Sequence, residues 1–174
     1  MRRNLLIAMC WLVALLPLAP GRAKAQGPDG ALPAPLYVLT AAQQVVGLDP
    51  ATGDQTPLTL VDQPVADFDI APDGGWLVYR TPANGPLAIV GEIGTGSGYV
   101  LDFESGLPPE GAAGPTIAWA GDASTIAYLV PEGIRIARLS GGEFGEPLID
   151  TVPGGPWDGL FWAGQGGWAV TNSA

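Results

Sequence analysis

The chain has 174 residues, a formal net charge of −10 at pH 7, no histidine and one cysteine. The absence of histidine excludes Ser-His-Asp catalysis and His-ligated zinc. The acidic balance argues against nucleic acid as a partner, because phosphates would be repelled. No Gly-rich phosphate loop opens a helix, so we expect no cofactor.

Residues 1–25 have the pattern of an export signal. Arg2 and Arg3 precede an apolar run at Leu5–Leu18, and Ala23-Lys24-Ala25 supplies an A-x-A cleavage site. The apolar run is too short for a spanning helix. We therefore expect a secreted or periplasmic protein with no membrane insertion after signal cleavage, followed by a Pro/Gly-rich linker at residues 26–35. The mature chain would keep three arginines against 17 acidic residues.

A twelve-residue pattern then occurs three times, at Phe68–Tyr79, Ile117–Tyr128 and Leu160–Thr171. The copies align without a gap and begin 49 and then 43 residues apart. Each copy predicts a strand, a tight turn and a second strand. Repeats of about 40–50 residues are typical of four-stranded propeller blades.

The segments between the copies predict the remaining strands, with Leu58–Val61 as the last strand before the first copy. We therefore predict an all-β, open β-propeller in which about three to four blades are represented. Its parts are a partial blade at residues 36–61, whole blades at residues 65–104 and 115–151, and a partial blade at residues 157–174.

Six apolar positions of the repeats are predicted to form the core, because equivalent positions in a repeat pack against neighbouring blades. They are Phe68, Ile70, Val78, Trp119, Ile126 and Trp162.

At these residues the chain resembles the WD-repeat-like propellers of the TolB type. The resemblance rests on A-P-D-G-G-W-L-V-Y around Pro72, A-G-D-A-S-T-I-A-Y around Asp122 and the D-P-A-T-G turn at Asp49–Gly53. It extends from Leu36 to the end of the chain. It implies a propeller that serves as an interaction or scaffold module.

Candidate site residues are few. Asp67 and Asp69 lie two apart on one strand and so share a face, which would suit acid/base chemistry or calcium, but we expect both to face solvent. Trp157 follows a Pro/Gly-rich turn and is a candidate for an exposed contact. Arg135 lies on a strictly alternating strand and is a second binding candidate, although its pattern favours a solvated side chain. No catalytic or metal-binding residue is predicted.

Together these features predict a secreted, non-enzymatic module that binds a protein or a glycan. The alternative is the N-terminal propeller portion of a larger exported, peptidase-like hydrolase, with its catalytic domain beyond Ala174. A third interpretation is an isolated carbohydrate-active enzyme that uses paired carboxylates. Because an open stack of blades exposes an unpaired sheet edge, we also expect an incomplete chain or self-association.

Overall fold

The computed structural model describes residues 35–82, 87–139, 147–164 and 166–172, all within the compact unit Leu32–Ala174. The predicted signal at residues 1–25 lies outside the described residues, as does nearly all of the predicted linker. The described residues form strands and no helix. None of their segments is therefore a helix long and apolar enough to cross a membrane.

Thirteen strands of the described chain form four antiparallel sheets in which sequence neighbours pair. We number these sheets blades I to IV. Blade I contains β1 (Leu36–Leu39), β2 (Val45–Leu48) and β3 (Gln55–Pro57), and blade II contains β4 (Asp67–Ile70), β5 (Trp76–Thr81), β6 (Leu87–Glu92) and β7 (Gly98–Asp102). Blade III contains β8 (Ile117–Trp119), β9 (Thr125–Val130), β10 (Gly133–Arg138) and β11 (Leu148–Pro153), and blade IV contains β12 (Gly159–Trp162) and β13 (Trp168–Thr171). The all-β, four-stranded blade architecture is confirmed.

The turn inside each motif copy follows from short-range hydrogen bonding. Asp73 Oδ1 accepts a hydrogen bond from the Gly75 N–H at 2.9 Å, and Asp122 Oδ1 accepts one from the Ser124 N–H at 3.0 Å. Gly74 takes a φ of 73°, which glycine adopts without steric cost. The aspartates of these turns therefore hold the hairpins β4–β5 and β8–β9 closed.

Each interior blade packs on both faces, so the core consists of three apolar layers between successive blades. The I/II layer is centred on Val45, Val65, Leu77, Tyr79 and Ile89. The II/III layer includes Val78, Val90, Ile117, Trp119, Ile126 and Tyr128. The III/IV layer is centred on Ala118, Ala127, Leu129 and Leu160.

The predicted core is correct at three positions and only partly so at three others. Val78, Trp119 and Ile126 are at most 3% exposed. Phe68 and Ile70 are half-buried, because they lie on the inner strand β4 and blade I presents only β1–β3 to cover it in the described chain. Trp162 is also half-buried.

The third strand of blade I does not lie where the sequence predicted it. It comprises Gln55–Pro57 and not Leu58–Val61. The pairing of Leu48 with Gln55 starts the strand directly after the Asp49–Asp54 turn. Leu60 and Val61 instead lie in an exposed loop, at 61% and 87% exposure.

Candidate functional site

The II/III interface contains a buried arginine on the face of β5 that points towards blade III. Arg80 is fully buried, and its Nε donates to Asp67 Oδ1 at 2.9 Å within blade II. Its Nη1 donates to the Leu129 carbonyl at 2.6 Å, and its Nη2 donates to the Thr116 hydroxyl at 3.0 Å, both in blade III. The guanidinium therefore joins two blades with all of its charge compensated.

A second ion pair lies at the same interface, between β7 of blade II and β10 of blade III. Asp102 accepts hydrogen bonds from the Tyr128 hydroxyl and, at 2.7 Å, from Arg135 Nη1. A bulge in the β6–β7 pairing places Leu101 as an extra residue before Asp102. Bulges re-aim side chains, and this one brings Asp102 to the face that meets blade III. Burial and the Asp102 carboxylate both raise the pKa of Tyr128.

The two networks meet at Tyr128. The Arg80 guanidinium lies 5.5 Å from the centre of the Tyr128 ring, and the hydroxyl of that ring bonds to Asp102. A polar layer thus crosses the II/III interface from Thr116 to Arg135. We call Asp67, Arg80, Thr116, Tyr128, Asp102 and Arg135 the polar layer.

Asp69 also accepts a hydrogen bond across the II/III interface. Its Oδ2 accepts from the Trp119 N–H at 2.8 Å, and its Oδ1 accepts from the Ile70 N–H at 2.9 Å. Burial raises the pKa of Asp69 above the ordinary value, although both N–H donors oppose the rise. The expectation that Asp67 and Asp69 face solvent is therefore wrong, because their strand faces blade III and their oxygens accept hydrogen bonds from it.

The two binding candidates from the sequence both lie in interblade contacts. Arg135 is 24% exposed and paired with Asp102, so its pattern-based interpretation as a solvated side chain is wrong. Trp157 is half-buried and packs on the III/IV layer, and its ring lies against Gly154. A role in binding stays a prediction for both residues.

The described chain contains no group of three or more Asp, Glu or Cys side chains placed to hold a metal ion. A cleft of about 400 Å³ opens instead between blades I and II. It forms because β3 is short and its continuation leaves as a loop, so the face of β6 and β7 towards blade I is incompletely covered. Leu58, Ile89 and Val100 supply an aliphatic floor, and Leu60 stands at the rim with 61% exposure.

Several polar groups that line this cleft already bond within the chain. The Tyr79 hydroxyl donates to Gln63 Oε1 at 3.2 Å, and the Thr95 hydroxyl donates to Glu92 Oε2 at 2.9 Å. The cleft therefore offers apolar area and the negative charge of Glu92 more than free hydrogen-bonding groups. Sequence reasoning missed it, because it assigned Leu58 and Leu60 to a strand.

No protein-family profile and no curated protein sequence matches the chain significantly. Solved structures of similar fold include TolB from Acinetobacter baumannii, at 14% identity over 71% of this chain and 30% of that one, with a TM-score of 0.46. A protein assigned as a 6-phosphogluconolactonase from Bacteroides fragilis NCTC 9343 is 13% identical over 67% of this chain and 34% of its own, with a TM-score of 0.43. Another so assigned, from Bacteroides uniformis ATCC 8492, is 11% identical over 78% and 37%, also with a TM-score of 0.43.

The chain thus spans about a third of the length of these structures. The prediction that the chain is not an enzyme is wrong as an inference from the fold, because two of the similar structures are assigned to an enzyme class. At these identities the likeness concerns the propeller fold alone, which does not separate enzymes from binding modules. The comparisons agree with a propeller fold and not with one particular propeller family.

Proposed function

We propose that this chain is an exported propeller segment that binds a protein partner in the cleft between blades I and II. The observation that carries the proposal is the aliphatic floor of the cleft, with Leu60 exposed at its rim. Apolar recesses of this kind accept the anchoring side chains of a partner. The Tyr79 hydroxyl and one oxygen each of Gln63 and Glu92 already bond within the chain, so the cleft offers a partner's apolar side chain more area than it offers a sugar free hydrogen-bonding groups.

The charge of the chain defines the partner further. Glu92 lines the cleft, and the formal net charge of the whole chain is −10. An acidic field attracts cationic partners and raises their association rate. The partner segment that fits is therefore an apolar one flanked by lysine or arginine. Export is supported by the signal-like pattern of residues 1–25.

Panning a phage-displayed random peptide library against the chain tests this proposal. We expect enrichment of peptides that combine apolar and basic residues. Leu60→Asp should weaken the selected peptides by about 10-fold or more, because it places a charge at the apolar rim. Val61→Asp is the matched control, since Val61 is 87% exposed and does not line the cleft.

Failure to enrich peptides, or an equal loss in the two variants, would contradict the proposal. A parallel glycan array covers the other class of ligand. Glycan binding that Leu60→Asp abolishes would replace the protein partner with a sugar at the same cleft.

A further inference from the structure

The two outermost blades of the described chain have uncharged faces with exposed apolar side chains. On blade I, Leu36 and Val38 are 41% and 42% exposed, on the face opposite to Leu39 and Val45, which pack on blade II. On blade IV, Phe161 is 41% exposed. The strands of these two blades contain no charged residue in a chain with 24 charged side chains.

Equivalent positions of the repeat show which neighbour each end face corresponds to, a following blade or a preceding one. Asp69, Ala118 and Phe161 occupy the same position of the three motif copies. Asp69 bonds to Trp119 of the following blade, and Ala118 packs in the layer formed with the following blade. Phe161 is therefore the member of this series whose following blade is not among the described residues.

Leu36 and Val38 occupy the converse surface, the face of a blade that would meet a preceding blade. The two end faces are thus the complementary halves of a contact that the chain already makes three times. Both are apolar and free of charge within their strands, whereas the acidic remainder of the chain repels a second copy.

We propose that these faces pair between two copies of this chain, with blade IV of one copy packed on blade I of the other. The contact is head to tail, so it is heterologous and joins Phe161 of one copy to Leu36 and Val38 of its partner copy. Such contacts close into a ring where the rotation permits and otherwise extend. This inference rests on residues outside the cleft, so it stands or falls independently of the proposed function.

Sedimentation velocity over about 1–100 µM tests the pairing. The unsubstituted chain should self-associate, and Val38→Glu and Phe161→Glu should each be monomeric, because each buries a charge at the junction. A mixture of the two variants should recover a dimer, since the Phe161→Glu copy keeps an intact blade I face and the Val38→Glu copy keeps an intact blade IV face.

Val61→Glu and Phe103→Glu are the matched controls, because both side chains are exposed and lie outside the strands of the end blades. They should associate as the unsubstituted chain does. Thermal melts of all variants establish that each one folds. A monomeric unsubstituted chain would overturn the proposal, as would association that survives either end-face substitution or a mixture that stays monomeric.

Discussion

At the scale of single residues, Trp119 is one of two tryptophans in the II/III layer and is 3% exposed. Its backbone N–H donates to Asp69 Oδ2 at 2.8 Å, and its indole N–H donates to the Asp69 carbonyl at 3.3 Å. The residue is therefore held by packing and by hydrogen bonds to the preceding blade.

Trp119→Ala should lower the free energy of unfolding by about 3–5 kcal/mol, because it leaves a cavity between two blades. Chemical denaturation of the variant and of the unsubstituted chain measures the difference. Phe103→Ala is the control and should change stability by no more than about 0.5 kcal/mol, since Phe103 is 74% exposed. A cost below about 1 kcal/mol at Trp119 would show that the II/III layer does not hold as described.

Asp69 makes stability depend on pH in an unusual direction for a carboxylate. Burial raises its folded-state pKa above the ordinary 3.8. Between 3.8 and that raised value the folded state holds more protons than the unfolded state, so the contribution of Asp69 to stability falls as pH rises through this window. Below 3.8 the contribution is fully present, and above the raised pKa it is lost.

Urea unfolding of the unsubstituted chain and of Asp69→Asn, from about pH 3 to pH 7, measures this effect. The stability of the unsubstituted chain relative to Asp69→Asn should decrease as pH rises through the window and should then become constant. A relative stability that increases with pH would mean that the Trp119 and Ile70 N–H donors outweigh burial.

At the scale of the strands and sheets, the II/III interface differs from the others because of its polar layer. Arg80 and Asp67 belong to blade II but form hydrogen bonds with blade III, Arg80 with the Leu129 carbonyl and Asp67 with the Thr116 hydroxyl. Removing one partner of a buried pair leaves the other charge uncompensated, which is costly. Blades II and III should therefore lose stability together when the pair is broken.

Arg80→Met should lower the free energy of unfolding by about 3–5 kcal/mol, because Asp67 then lacks its counter-charge. The double variant Arg80→Met, Asp67→Leu should regain part of this loss. Arg138→Met is the matched control, since the Arg138–Asp150 pair is 57% and 52% exposed and such pairs contribute at most about 1 kcal/mol. If Arg80→Met cost no more than Arg138→Met, the buried pair would not be what stabilises this interface.

Local chemistry explains which elements could be predicted from the sequence. The turns at Asp73 and Asp122 depend on residues two positions away, so the repeat identified them and the hairpins around them. The polar layer joins Arg80 to Thr116 and Leu129 in another blade, and no short-range pattern indicates such partners. The cleft depends on where β3 ends. The pairing register of β3 with β2 determines that end, whereas the apolar residues from Leu58 onward had suggested a strand there.

At the scale of the whole chain, charge opposes compactness. Acidic residues outnumber basic ones by 17 to 7. Self-repulsion of this kind destabilises the folded state, and salt screens it over about 10 Å at 0.1 M.

The melting temperature should therefore rise with salt, by about 3 °C or more between about 10 mM and 150 mM NaCl. Differential scanning fluorimetry across a salt series gives the value. The same series in sucrose is the control, because sucrose stabilises by exclusion without screening. A melting temperature that falls as salt is added would indicate that attractive ion pairs, such as those of the polar layer, dominate the electrostatics.

The polar layer also bears on how a chain of similar blades finds its correct order. Repeat proteins misassemble when one unit takes the place of another. Against any other blade, Asp102 would lose its Tyr128 and Arg135 donors and Asp69 would lose the Trp119 N–H, whereas Asp67 would keep Arg80 of its own blade. A different sheet packed on this face of blade II would therefore be disfavoured, because burying these carboxylates without the donors of blade III costs free energy. The II/III interface thus favours the correct neighbour, because blade III supplies the donors that this face of blade II needs. Blade I then packs on the other face of blade II, and blade IV packs on the other face of blade III.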